Sequence, residues 1–171
     1  MSIRDITNVP GTNVFFGSGY SASSEEVKAK DIKTIFFFAK RHQQLPTIDG
    51  VRTVGFTSET HPQMNKEAFV KFIKTASKLK TNFAILCVNG EWFSPGYSCL
   101  VLLAKGYPIN EIKNKFLSIT PKIGGFPTEQ FIDMEKEVFE KSYLPRVKQK
   151  LKLRTIKFPS IKTKKAKVKV K

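Results

Sequence analysis

A chain of 171 residues, 40% of them apolar and fifteen of them Phe, is long enough for one domain with a two- or three-layer core. Its two cysteines fall inside apolar segments and form no disulfide framework, and its longest apolar runs, near "TIFFFA" and "CLVLLA", fall well short of the roughly 18 to 20 residues of a membrane span. The net charge of +16 is concentrated at one end: residues 141–171 hold thirteen Lys or Arg and no Asp or Glu, whereas the preceding residues hold seventeen basic and fourteen acidic side chains.

In chain order, "NVFFG" (13–17) reads as a short strand. The following "SASSEEVKAKD" reads as a short helix opened by a capping box, Ser23 facing Glu26. "IKTIFFFAK" (32–40) has the unbroken apolar content of a buried strand, and "GVRTVGF" (50–56) alternates like a third strand after the Asp49-Gly50 turn signal. From Lys66 to Lys80, Phe69, Phe72, Ile73, Ala76 and Leu79 recur at helical spacing, with Lys66, Lys71, Lys74 and Lys78 on the other face. "NFAILC" makes a fourth strand, and the apolar segment after Pro95-Gly96 makes a helix buried on most sides. Two more helices follow, at 109–117 and from Thr128, its N-cap, to Ser142. Strands alternating with helices predict an α/β fold with a central sheet covered by helices on both faces, over residues 1–145.

Residues 146–171 form a second, basic segment ending in "KTKKAKVKVK". It is low in complexity and lacks a periodic apolar face, which predicts disorder when alone. Lys162, Lys164, Lys165, Lys167, Lys169 and Lys171 are candidate contacts to a phosphate backbone or to an acidic assembly. A solubility tail or localisation signal is the competing account. The N-terminus has no basic region followed by an apolar run, so no secretory signal is indicated, and the expectation is a soluble intracellular protein.

Four stretches carry a family resemblance: "NVFFGSGYSASSEEVKAKDIKTIFFFAK", "VRTVGFTSETHPQMNKEAFVKFIKTASKL", "AILCVNGEWFSPGYSCLVLLAKGYPINEIKNKF" and "ITPKIGGFPTEQFIDMEKEVFE". Their order and spacing over residues 10–142 resemble the cysteine-dependent dual-specificity phosphatases, in particular the RNA 5′-triphosphatase branch of mRNA-capping enzymes and related viral phosphatases. That family's loop runs His, nucleophilic Cys, five residues, Arg, then Ser or Thr. In this branch Gly and an aromatic residue follow. Its backbone N–H groups and the next helix N-terminus cradle phosphate oxygens, and the Arg grips two of them.

By this resemblance Cys87 matches the nucleophile, Gly90 a loop glycine, Ser94 the hydroxyl and Gly96-Tyr97 the ending. Leu86 replaces the His and Phe93 replaces the Arg, Glu91 adds negative charge, and Pro95 lengthens the loop by one residue. No Arg lies between Arg52 and Arg146, and no Asp between Asp49 and Asp133, which leaves Glu59 and His61 as the nearby proton donors. Loss of one oxyanion-type contact lowers rate by about 10²- to 10³-fold. The resemblance therefore implies a phosphatase fold with a dismantled loop, in which Cys87 packs as a small apolar residue.

Trp92 and Phe93 either form an exposed aromatic surface for a base or a protein partner, or fold inward to fill the emptied pocket. Arg41 and His42 follow a strand and either bring positive charge to the pocket or lie on a plain surface loop. Cys99 belongs to the core. Cys87, Cys99, His42 and His61 lack metal-ligand spacing, and neither a metal nor another cofactor is expected.

The leading expectation is a catalytically inactive pseudophosphatase, a scaffold that docks on nucleic acid, RNA favoured over DNA, or on an acidic assembly through its basic tail. A ribonucleoprotein particle or a viral assembly would suit such a module. The alternatives are an atypical protein or RNA 5′-phosphatase using Cys87, and a protein-interaction module using the Trp92 and Phe93 loop.

Overall fold

A run such as "TIFFFAK", apolar at successive positions, needs cover on both faces of the sheet that holds it. The computed structural model, which describes residues 5–20, 22–40, 44, 47–58, 66–90 and 93–119, supplies that cover. Its elements are β1 (Thr7–Asn8), β2 (Val14–Ser18), α1 (Ser24–Ala29), β3 (Thr34–Lys40), β4 (Arg52–Ser58), α2 (Lys66–Ala76), β5 (Phe83–Cys87), α3 (Phe93–Lys105) and α4 (Ile109–Leu117). The strands form one sheet in the order β1-β2-β5-β3-β4. β2, β5, β3 and β4 are parallel, and β1 pairs antiparallel with β2.

Strand alternation divides the core in two. Phe16, Phe36, Phe38, Phe83, Ile85 and Cys87 face a cluster completed by Phe72 and Ile73 of α2, Leu100 of α3, and Ile112 and Phe116 of α4. Phe15, Ile35, Phe37, Ala84 and Leu86 face the other way, against Val27 of α1, Ile32 and Ile48. This is the α/β architecture with helices on both faces that the sequence predicts.

The elements depart from the predicted ones in four places. β4 begins at Arg52, because Asp49 and Gly50 are used in the turn closed by the Val51 N–H donating to the Ile48 carbonyl. α2 ends at Ala76 instead of Lys80: Asn13 Nδ2 donates to the carbonyls of Leu79 (3.0 Å) and Thr81 (2.8 Å), and Lys105 Nζ also donates to Leu79 O (2.8 Å). Those bonds hold the chain between α2 and β5 in a non-helical path.

The capping box is half formed. Ser23 Oγ accepts from the Glu26 N–H at 3.0 Å, but the Glu26 carboxylate turns to the Ile6 N–H (2.8 Å) and to Lys30 Nζ (2.8 Å). It thereby fastens the chain entering β1, a strand too short to read from the sequence. The fourth departure, the start of α3, belongs to the site. The helix expected from Thr128 to Ser142 and the basic segment 146–171 lie outside the described residues. Among the described residues, no helix is long and apolar enough to cross a membrane.

Candidate functional site

β5 is the central strand, and Cys87 is its last residue. Ser18 pairs with Cys87 on the β2 side and Phe38 on the β3 side, so the thiol stands at the C-terminal edge of the sheet between two parallel neighbours. That edge is where α/β sheets place ligand chemistry. The backbone around it is tied down: the Gly19 N–H donates to the Cys87 carbonyl (2.8 Å) and Ser18 Oγ donates to the Val88 carbonyl (2.7 Å). Gly19 has to be glycine here, since a Cβ would lie 2.1 Å from Cε2 of Phe37.

Three of the predicted loop positions converge. Cys87 is 3% exposed and Ser94 is fully buried, and the Cys87 thiol donates to Ser94 Oγ at 3.5 Å. The Ser94 hydroxyl donates in turn to the Gly90 carbonyl at 3.0 Å. Gly90 has φ +77°, a backbone region that glycine enters without steric cost, which is why that carbonyl can point back at the helix.

α3 starts at Phe93, so Ser94, Pro95 and Gly96 are helical and buried, and Pro95 does not lengthen the loop. The expectation of a helix only after Pro95-Gly96 treated those residues as breakers. In a first turn the N–H groups have no intrahelical acceptor, so a proline there loses nothing. The same turn holds Ser98, whose hydroxyl donates to the Ser94 carbonyl at 2.8 Å. Sequence reasoning did not single it out; its four-residue spacing from Ser94 on a buried face was the available signal.

Phe93, which by resemblance replaces the gripping Arg, is half-buried with its ring stacked on Tyr97 at 5.9 Å between centroids. Tyr97 packs against Phe38 (4.5 Å) and Phe72 (6.1 Å), so the chain of rings runs from the loop into the core. Two lysines make contacts away from the thiol. Lys105 Nζ lies 5.7 Å from the centre of the Phe83 ring, at the opposite end of β5, where burial lowers its pKa. Lys115 Nζ donates to the Pro10 carbonyl (2.8 Å).

Cys99 is buried in α3. Among the described residues, no three His, Cys, Asp or Glu side chains come together as a metal site. Arg41, His42, Glu59, His61, Glu91, Trp92 and the six C-terminal lysines lie outside the described residues.

No protein-family profile and no curated protein sequence matches the chain. Its fold does match solved structures. A single-substitution variant of human DUSP28 aligns with a TM-score of 0.60 at 15% identity, covering 83% of this chain and 98% of that one. DUSP15 aligns at 0.59 and 13% identity, covering 88% and 97%. The human tyrosine phosphatase-like serine/threonine/tyrosine-interacting protein aligns at 0.51 and 16% identity, covering 82% and 99%. With Cys87 closing the central strand, Ser94 in the first turn of the helix beyond it and these structures superimposing over most of their length, the chain carries the dual-specificity-phosphatase-like fold.

Proposed function

We propose that this protein is a catalytically inactive phosphatase-like scaffold, derived from the RNA 5′-triphosphatase branch, that docks inside the cell on nucleic acid, RNA in preference to DNA, through its basic C-terminal segment. One observation carries the catalytic half of this reading: Phe93, at the position the resemblance gives to the phosphate-gripping Arg, stacks on Tyr97. A phosphoryl group entering this loop would meet an apolar ring where the transition state requires positive charge. The resemblance to a protein named as tyrosine phosphatase-like and interacting supports the use of such a fold for binding.

The docking half rests on charge. Thirteen basic residues and no acidic ones in residues 141–171 make a segment suited to displacing counterions from a phosphate backbone.

The test of the first half is release of inorganic phosphate from 5′-triphosphorylated RNA and from an aryl phosphate, comparing native protein with Cys87→Ser. The expected result is no turnover above the variant in either assay; turnover that disappears in Cys87→Ser would establish an enzyme instead. For the second half, fluorescence anisotropy with a labelled RNA should give an affinity that falls steeply with salt. Absence of RNA binding by the native chain would remove the nucleic-acid reading and leave an acidic protein assembly as the partner to seek.

A further inference from the structure

The parallel topology sends α1, α2 and α3 back across the sheet so that all three end at the edge opposite Cys87, where β5, β3 and β4 begin. Six cationic residues gather there: Lys28, Lys33, Arg52, Lys78, Lys80 and Lys105. Their backbones are stitched together. The Arg52 N–H donates to the Lys33 carbonyl (3.0 Å), the Lys33 N–H to the Asn82 carbonyl (2.9 Å), and Asn82 Nδ2 to the Lys30 carbonyl (2.9 Å). Asn13 and Lys105 bind the Leu79 carbonyl between Lys78 and Lys80. Lys28, Lys33, Arg52, Lys78 and Lys80 are exposed.

The plain account of such lysines is that they complement helix C-termini. Magnitudes decide against it as the whole account. Each C-terminus presents about half a unit of negative charge, so three offset roughly one and a half of the six cations. Asp31, paired with Lys33, and Asp49 in the turn before β4 offset two more, while Glu26 and Glu111 are engaged by Lys30 and Lys115. An excess of about two to three positive charges remains. Arg52 follows a turn and not a helix, so it has no C-terminus to complement. Lys33 immediately precedes β3 and Arg52 opens β4, and these neighbouring strands stand about 4.8 Å apart, which holds that pair of cations on fixed backbone.

We infer that this edge is a second nucleic-acid surface: a cluster of cations on a hydrogen-bonded backbone that takes the phosphodiester backbone of RNA. It rests on the nucleic-acid reading above and adds where on the folded domain the strand lies. The surface binds through charge, without base contacts, so it predicts affinity without sequence preference.

The test compares three full-length proteins binding a fluorescein-labelled single-stranded RNA by anisotropy from 50 to 400 mM salt. They are native protein, an edge variant (Lys28→Gln, Arg52→Gln, Lys78→Gln, Lys80→Gln) and a tail variant with Lys162, Lys164, Lys165, Lys167, Lys169 and Lys171 changed to Gln. Thermal melts confirm that all three are folded. The expected result is that the edge variant binds at least about tenfold more weakly at 100 mM salt, with a log–log salt slope shallower by about 2 to 3. An edge variant with native affinity and slope, beside a tail variant that loses both, would overturn the edge and leave the tail reading intact. Native protein that binds no RNA would overturn both.

Discussion

The ring of Phe93 lies stacked on Tyr97, with centroids 5.9 Å apart and planes 29° from parallel, and Tyr97 packs on Phe38, the residue paired with Cys87 across the sheet. Phe93 is thus a group at the start of α3 whose energy comes from joining the core. A position that contributes to folding in this way cannot be changed to arginine without loss.

Phe93→Ala is expected to cost about 1 to 2 kcal/mol, because the ring is only half-buried, against about 3 to 5 kcal/mol for the fully buried Phe72→Ala. Urea denaturation of the two variants beside native protein checks the ranking. Phe93→Arg should lose a similar amount to Phe93→Ala and gain no phosphatase turnover. Measurable turnover in Phe93→Arg would mean that the missing cation was the whole defect.

Ser94 and Ser98 are both buried, but their hydroxyls do different work. Ser94→Ala removes the donor to the Gly90 carbonyl and the acceptor for the Cys87 thiol together, leaving buried polar groups unpaired, so a loss of about 1 to 3 kcal/mol is expected. The Ser94 carbonyl that Ser98 binds is positioned to accept a helical bond as well, so Ser98→Ala should cost about 1 kcal/mol or less. Equal losses in chemical denaturation would contradict this account of the loop.

At the turn after β2, a Cβ on Gly19 would penetrate the Phe37 ring, which is fully buried. Gly19→Ala should destabilise by about 1 to 3 kcal/mol or more through overpacking. The cause can be separated from a general loss of flexibility: Phe37→Leu in the same chain should make room, so the double variant is expected to be more stable than the sum of the single effects predicts. Strict additivity of the melting shifts would reject the clash.

Glu26 joins α1 to the chain twenty residues earlier. In Glu26→Ala the nearly buried Ile6 N–H loses its acceptor and Lys30 its partner, at a cost of about 1 to 3 kcal/mol. Amide hydrogen exchange offers a local readout: the Ile6 amide should lose protection in the variant while the amides of β5 keep theirs relative to global stability.

The parts of the fold that were legible are those in which local pattern and tertiary demand coincide. "TIFFFAK" and "FAILC" are apolar without alternation, and only a sheet covered on both faces accommodates them. Phe72, Ile73 and Ala76 mark one face of α2, and all three are buried. What escaped were features held by partners distant in sequence. β1 is a strand of two residues, secured by β2 and by Glu26, and neither contact leaves a periodic trace. The last turn expected of α2 is given up to Asn13 and Lys105.

At the site, Cys87, Gly90 and Ser94 were singled out through the family resemblance, and the structure brings the three together. The helical start at Phe93 was not, because Pro95 and Gly96 signal a break wherever the first-turn exemption is overlooked.

β5 is five residues long, so about 13 Å separates its first Cα from its last. That distance exceeds the 7 to 10 Å within which substitutions commonly couple. Stability changes made around the thiol and around the opposite ends of the strands should therefore add, and each end of the sheet can accumulate substitutions on its own schedule. Substitutions at the rim that holds Cys87 thus leave the opposite rim free to change, and the reverse.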